Sequence, residues 1–180
     1  MAKRVFIIHG WQGSPNGNWF PWLKEKLESK GSIVSVPEVP NPDYPELNSW
    51  LKKITEVVSK PDNDTYLIGH SLGCITILRY LEGLKTGKIG GSILVAGFTD
   101  DLGIKELSGF FISPINWEKI NSGCGKFVVI ASDNDPYVPL KYSDILKEKL
   151  NAKVLIQPGM GHFNMKELHV VLNEALKMSA

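Results

Sequence analysis

The sequence predicts an α/β fold with three layers, in which a parallel β-sheet lies between two layers of helices. The first observation is that short β-branched runs alternate with longer segments whose apolar residues recur at helical spacing. This alternation is typical of βαβ units, which place helices on both faces of a parallel sheet. The second is the length of 180 residues, which predicts a single domain over residues 1–180 because it is short for two.

Six strands and five helices are predicted, and right-handed crossovers between the strands leave few topologies. The predicted strands are Val5–Ile8, Ile33–Val36, Tyr66–Ile68, Ser92–Ala96, Phe127–Ala131 and Lys153–Ile156. The predicted helices are Trp19–Lys30, Glu46–Ser59, Leu72–Leu84, Leu140–Leu150 and Met165–Met178. Residues 97–125 form one long irregular interval rich in aromatic side chains. We expect this interval to fold over the carboxyl edge of the sheet as a small lid or a pocket wall.

The composition excludes several classes of function. With 20 basic and 19 acidic residues the net charge is +1, which creates no long-range field that would favour nucleic acid or an anionic membrane. The first apolar run, Val5–Ile8, is too short for a signal peptide, and no stretch approaches the roughly 20 apolar residues of a membrane span. We therefore expect a cytoplasmic protein that binds a small molecule in a pocket. Cys74 and Cys124 are too few and too far apart for a disulfide framework or a zinc pair, so two reduced thiols are expected.

Chemistry in an open parallel sheet is expected just beyond the carboxyl ends of the strands. The polar and glycine-rich segments of this chain follow predicted strands, at residues 9–19, 69–73, 132–139 and 158–164. Candidate catalytic residues are therefore sought in these four segments.

The nucleophile candidate is Ser71, in the pentapeptide Gly69-His-Ser-Leu-Gly73 between an apolar strand and a helix. This pattern is typical of a nucleophile elbow, whose glycines allow the strand and the helix to pack closely. The N–H of Leu72 would open the helix and point toward an oxyanion formed at Ser71. The alternative role for Ser71 is an N-cap of the following helix.

A serine hydroxyl needs a general base, and His162 is the best candidate among four histidines. His162 follows the last predicted strand in a loop with glycines on its N-terminal side. His9 ends the first strand, His70 lies inside the pentapeptide, and His169 has helical spacing within the last helix. The alternative role for His162 is a polar loop residue that caps this helix.

The acid that orients the base is expected after an earlier strand, in the chain order Ser, Asp, His. The segment after the fifth strand offers Asp133 and Asp135, and a carboxylate there would fix the imidazole tautomer and stabilise the imidazolium. We favour Asp135 because Pro136 biases it to an extended conformation. Asp133 would instead make an Asx turn.

The remaining candidates form the oxyanion hole and the substrate pocket. A second oxyanion donor is expected from the glycine-rich turn after the first strand, with Trp11 preferred and Gln12 possible; the alternative is a turn with no further role. Large aromatic residues near the carboxyl edge would line an apolar pocket, and Trp19, Trp117 and Phe98 are chosen as substrate-binding. These aromatics would equally suit the core.

These motifs together resemble a known family. The segments that carry the resemblance span nearly the whole chain: Ile7-Ile-His-Gly, Asn18-Trp-Phe-Pro-Trp, Pro40-Asn-Pro, Gly69-His-Ser-Leu-Gly-Cys, Ile93-Leu-Val-Ala-Gly-Phe, Ile130-Ala-Ser-Asp-Asn-Asp-Pro-Tyr-Val-Pro and Gly161-His-Phe. The chain resembles the α/β-hydrolase superfamily, and within it the small YdeN-like and retinoblastoma-binding-protein-like serine hydrolases. The resemblance implies the same triad, a trimmed fold with strand order 2-1-3-4-5-6, and no metal or organic cofactor.

The sequence thus predicts a serine hydrolase that cleaves small acyl esters through an acyl-enzyme. The resemblance implies esterase activity on small esters without naming the natural substrate or any protein partner. Two alternatives remain. The same triad would serve a thioesterase or a peptidase, and a binding protein would keep the fold without turnover.

Overall fold

The computed structural model describes residues 2–178, and its six strands form one parallel sheet in the order β2-β1-β3-β4-β5-β6. The strands are β1 Arg4–Ile8, β2 Ile33–Ser35, β3 Thr65–His70, β4 Gly91–Val95, β5 Phe127–Ser132 and β6 Lys153–Gln157. The central strands β3 and β4 are buried at every residue, as expected of strands covered on both faces. The parallel sheet predicted from the sequence and the strand order implied by the resemblance are both confirmed.

Helices cover both faces of this sheet, which confirms the three layers. They are α1 Phe20–Glu28, α2 Leu47–Val58, α3 Leu72–Glu82, α4 Trp117–Gly123, α5 Lys141–Leu150 and α6 His169–Met178, with a 3₁₀ helix at Lys105–Phe110. Successive side chains of a strand point to opposite faces, so β1 contributes to two separate cores. Phe6 and Ile8 pack with α2 to α5 in one cluster, which we call the α2–α5 core. Val5 and Ile7 pack with α1 and α6 in the other, which we call the α1–α6 core.

The last helix starts later than predicted. The prediction began at Met165, whereas α6 begins at His169 and the preceding residues form a loop. Leu168 is buried and Met165 packs against the α1–α6 core, so both satisfy the apolar spacing without being helical. The apolar pattern was therefore a signal of burial rather than of helix in this segment.

The interval 97–125 is more regular than predicted, because it contains the 3₁₀ helix and α4. Its anchor is Arg79 of α3, whose side chain is only 4% exposed and pairs with Glu82 at 2.7 Å. The guanidinium donates to the carbonyl oxygens of Phe110, Ser113 and Pro114 at 3.0, 2.5 and 3.3 Å. These bonds fix the interval to the α2–α5 core.

Two further sequence expectations concern the thiols and the membrane. Cys74 and Cys124 are both buried and unpaired, as predicted, and burial raises the pKa of Cys124 to about 12. Within residues 2–178, no helix combines the length and the apolar character that crossing a bilayer requires.

Candidate active site

Ser71 occupies the sharp turn between β3 and α3, with φ 55° and ψ −120°. Such a conformation is costly for a residue other than glycine, and strain of this kind concentrates at functional sites. The turn is held because the N–H of Ser71 donates to the Val95 carbonyl oxygen at 2.9 Å. The Ser71 side chain caps no N–H of α3 in the described structure, so the N-cap alternative is not what the hydroxyl does.

Glycines surround this turn because backbone segments meet there. A Cβ atom on Gly69 would lie 2.8 Å from the Cys74 nitrogen, and one on Gly73 would lie 2.9 Å from the His9 carbonyl oxygen. A Cβ on Gly10 would lie 2.9 Å from the Cβ of Ser71 itself. The close packing of strand and helix predicted for the pentapeptide is therefore present, and Gly10 brings the turn after β1 against Ser71.

His162 and Asp135 form a hydrogen-bonded pair near this turn. The distance from His162 Nδ1 to Asp135 Oδ2 is 2.8 Å, and the Asp135 side chain is only 2% exposed. The other oxygen, Oδ1, accepts from the N–H groups of Tyr137 and Val138 at 2.9 and 3.1 Å. Because a carboxylate only accepts, Nδ1 of His162 carries a proton and Nε2 of the neutral ring is free to accept one.

The electrostatics keep Asp135 ionised. Burial alone would raise the pKa of this carboxyl, but the hydrogen bond from His162 and those from Tyr137 and Val138 outweigh it. The net effect lowers the pKa of Asp135 below its ordinary value of 3.8. Asp135 is therefore an ionised carboxylate at neutral pH, where it can stabilise a positive charge on the His162 ring.

The loop that carries His162 is held to the end of β5 by three further bonds. Ser132, Asp133 and Asn134 each accept a backbone N–H from the segment 159–161. The bonds are Met160 N to Ser132 Oγ at 3.0 Å, Gly159 N to Asp133 Oδ1 at 2.8 Å and Gly161 N to Asn134 Oδ1 at 2.8 Å. The Asx turn expected at Asp133 is made by Asp135 instead, through its bond to Tyr137 N.

His70 also supports His162, and sequence reasoning missed it. His70 is buried, and its Nε2 donates to the His162 carbonyl oxygen at 2.8 Å, with ring centroids 4.9 Å apart. Burial, followed by the proximity of His162, lowers the pKa of His70 to about 3, so this ring is neutral. The only sequence signal is its place in the pentapeptide, because the two residues lie 92 positions apart.

Two backbone N–H groups remain available beside Ser71. The described residues offer no acceptor to the N–H of Leu72 or to that of Trp11. The N–H of Gln12 is already used, since it donates to the Pro42 carbonyl oxygen at 2.9 Å. Of the two candidates in the turn after β1, Trp11 is therefore the one with a free donor.

Ser71, His70 and His162 line one cavity of about 480 Å³. Its other lining residues come from the segments that follow β1, β4, β5 and β6, including the first residue of α1 and one residue of the 3₁₀ helix: Gly10, Trp11, Gln12, Gly13, Ser14, Gly17, Asn18, Phe20, Phe98, Leu102, Ile104, Leu107, Tyr137, Val138 and Asn164. Phe98 thus lies where the sequence placed it, and the interval 97–125 supplies a wall.

Trp19 and Trp117 do not line the cavity, which corrects the expectation for both. Trp19 is fully buried in the α1–α6 core, with its ring 4.7 Å from that of Phe20. Trp117 is the first residue of α4 and packs against the α2–α5 core. Both aromatic side chains serve core packing, which was the alternative reading of the aromatic-rich edge.

Ser71 Oγ forms no hydrogen bond with any other residue of the range 2–178. Hydrogen bonds between a nucleophile and its base are often long without substrate and tighten when substrate binds. The described residues also contain no group of three or more His, Cys, Asp or Glu able to hold a metal ion.

Comparison with known proteins gives a family match, two relatives and a similar solved structure. A family model described as serine hydrolase matches residues 5–179. The protein YdeN of Bacillus subtilis (strain 168), named as a hydrolase, is 38% identical over 165 residues, covering 91% of this chain and 87% of that protein. The serine hydrolase RBBP9 of Rattus norvegicus is 32% identical over 163 residues, covering 89% and 86%. The crystal structure of the ydeN gene product from B. subtilis matches with a TM-score of 0.94 and 34% identity, covering 98% of both chains.

Proposed function

The chain belongs to the serine hydrolase family and has the α/β-hydrolase fold, and on this premise we propose that it is a carboxylesterase acting on small acyl esters. The observation that carries the proposal is the bond between His162 Nδ1 and Asp135 Oδ2, because His162 lines the same cavity as Ser71. This arrangement supplies a nucleophile, a base and a group that orients the base, which are the roles acyl transfer needs.

The first step is attack by Ser71 on the ester carbonyl carbon. Nε2 of His162 takes the hydroxyl proton as the Ser71 Oγ–carbon bond forms, and Asp135 stabilises the imidazolium that results. The tetrahedral intermediate then expels the alcohol, whose oxygen receives this proton from His162 as the carbon–oxygen bond breaks. The product of this step is an acyl-enzyme on Ser71.

The second step reverses the roles with water. His162 removes a proton from water as water attacks the acyl carbon, and it returns this proton to Ser71 Oγ when the carboxylic acid leaves. In both steps the negative oxygen is stabilised by the N–H groups of Leu72 and Trp11, which are preorganised and need no movement. Removing one such donor typically costs about 10²- to 10³-fold in kcat.

The same residues would also serve a thioesterase or a peptidase, since the triad does not choose the leaving group. We prefer the ester because the apolar side chains on one side of the cavity would suit an acyl chain. A binding protein without turnover would retain the fold but not the reactivity of Ser71.

The test uses a fluorophosphonate probe, which reacts covalently with an activated serine. We expect labelling at Ser71 in the folded protein, and loss of both labelling and ester hydrolysis in Ser71→Ala. The matched control is Ser122→Ala, at an exposed serine of α4, which should keep both. Undiminished ester hydrolysis in Ser71→Ala would show that the proposed mechanism is wrong.

A further inference from the structure

We propose that the substrate is an uncharged ester whose acyl part is apolar and whose alcohol part carries hydroxyl groups. This inference rests on the proposed function, because it assigns the two ends of the cavity to the two halves of one ester. It is carried by the distribution of charge, apolar surface and free amide groups around Ser71.

The cavity offers nothing that would pair with a charged substrate group. Among its described lining residues there is no Lys, Arg, Asp or Glu, and the two histidines are His70 and His162. His162 is committed to Asp135, and His70 to the His162 carbonyl oxygen. A carboxylate or ammonium group on the substrate would lose water without gaining a partner of opposite charge among these residues, which is unfavourable.

One end of the cavity is apolar and rigid. It is formed by Phe98, Leu102, Ile104, Leu107 and Val138, which all belong to the α2–α5 core or pack against it. The turn that presents Leu102 is fixed, because Asp100 Oδ1 accepts from Leu102 N at 2.9 Å and from Tyr142 Oη at 2.6 Å. This end suits a hydrocarbon chain.

The other end carries uncharged polar side chains on the opposite face of the sheet. Asn18 precedes α1 and Asn164 follows Phe163, which is buried in the α1–α6 core. Asn18 Nδ2 donates to Asn164 Oδ1 at 3.3 Å across 146 positions of sequence. Either orientation of the two amides leaves one carbonyl oxygen and one NH₂ group without a partner among the described residues, which matches a hydroxyl that donates and accepts.

The chemistry decides which half of the ester lies at which end. His162 must reach the leaving oxygen to protonate it, so the alcohol lies on the side of His162. Asn164 is two residues from His162, and both line the cavity. The alcohol therefore meets the Asn18–Asn164 pair, and the acyl chain extends toward Phe98 and Leu107.

The experiment compares kcat/KM for glycerol monohexanoate and propyl hexanoate, which differ only in two hydroxyl groups. We expect the glycerol ester to be preferred by about 3- to 10-fold for each hydrogen bond gained. Asn164→Leu should remove this preference, so that the ratio of kcat/KM between the glycerol ester and the propyl ester falls toward one. The control Asn48→Leu, at an exposed position of α2, should keep the preference.

A second pair of esters tests the charge argument. Propyl valinate and propyl 3-methylbutanoate differ only in an α-amino group, which is largely protonated at about pH 6.5. We expect the valinate to be at least 10-fold poorer in kcat/KM, and a faster valinate would overturn the proposal.

Equal rates for the two hexanoates with Ser71 labelled by fluorophosphonate would overturn this inference alone. No labelling and no hydrolysis of any ester would overturn the proposed function and this inference together.

Discussion

Asp135 uses its two carboxylate oxygens for different partners, and this division predicts the effect of a single substitution. Oδ1 accepts two backbone N–H groups, whereas Oδ2 faces His162 Nδ1. In Asp135→Asn the amide oxygen would stay with the backbone donors, which places the NH₂ group against Nδ1. His162 would then carry its proton on Nε2 and could not accept one from Ser71. We expect kcat for ester hydrolysis to fall by about 10³- to 10⁴-fold.

Asp133→Asn is the matched control for this prediction. Within residues 2–178 the Asp133 carboxylate accepts only the N–H of Gly159, through Oδ1, and an asparagine oxygen can accept the same bond. We expect kcat to stay within a fewfold of the parent value, measured with the same ester. Equal losses in the two variants would mean that Asp135 does not set the tautomer of His162.

At the residue scale, sequence reasoning found the groups whose signals are local. Ser71 lies in a pentapeptide with glycines at fixed offsets, and His162 lies in a glycine-containing loop directly after a strand. His70 and Trp19 were misjudged because their roles depend on contacts that no local pattern records. The bond from His70 to the His162 carbonyl joins residues 92 positions apart, and only the folded chain shows it.

At the scale of elements, one buried side chain determines the position of the cavity wall. The Arg79 guanidinium holds three carbonyl oxygens of the segment 110–114 and pairs with Glu82. Arg79→Met would keep the apolar stem but remove the donor of these three carbonyls, and among the described residues the Glu82 carboxylate would keep only the bond from the N–H of Asn116. We expect a loss of about 3 kcal/mol in the free energy of unfolding, measured by urea denaturation.

The wall should loosen as well, because the segment held by Arg79 follows Leu107 of the 3₁₀ helix. KM for an ester with a long acyl chain should therefore rise more than KM for an acetate. The control Lys119→Met changes a cation on exposed α4 surface and should alter the free energy of unfolding by less than about 0.5 kcal/mol. A stability of Arg79→Met equal to that of the control would contradict this role for the guanidinium.

Long elements were predicted more accurately than short ones. Six strands and five helices could be predicted from the periodicity of their apolar residues, because burial of one face of an element sets the spacing of these residues. The 3₁₀ helix and α4 are too short to show such a pattern, and they depend on Arg79 and on the Asn116 side chain, which accepts from Lys119 N. Met165 and Leu168 show the opposite case. Their apolar spacing is helical, but they belong to a loop, and their side chains pack in or against the α1–α6 core.

At the scale of the whole molecule, the order of the three layers could be predicted from the alternation of strands and helices. The charge states of the buried histidines could not be predicted in this way. The sequence shows four histidines, and only the structure shows that His9 and His70 are buried while His169 is exposed. Burial lowers the pKa of His9 as well as that of His70. Both rings are therefore neutral in the folded protein under conditions that protonate them in the unfolded chain.

This difference predicts that the folded protein loses stability on mild acidification. The pKa of His70 is 6.5 in the unfolded chain and about 3 in the fold, so between these values only the unfolded state binds the proton. The contribution of His70 to the free energy of unfolding is fully present above about pH 6.5. It falls as pH decreases, with a limiting slope of about 1.4 kcal/mol per pH unit for one histidine. Asp135 contributes in the same direction, but only as pH falls below its ordinary pKa of 3.8, at the acidic end of this range.

The measurement is the free energy of unfolding by urea at several pH values from about 4.5 to 7 at constant ionic strength. His70→Gln removes the titrating group while its amide can still donate to the His162 carbonyl oxygen, so the slope with pH should decrease by the share of one histidine. The control Asn48→Gln replaces one uncharged amide by another at an exposed position of α2 and should leave the slope unchanged. His9 retains its own share in both variants, which is why His70→Gln should reduce the slope without abolishing it. An unchanged slope in His70→Gln would mean that His70 is not held neutral by the fold.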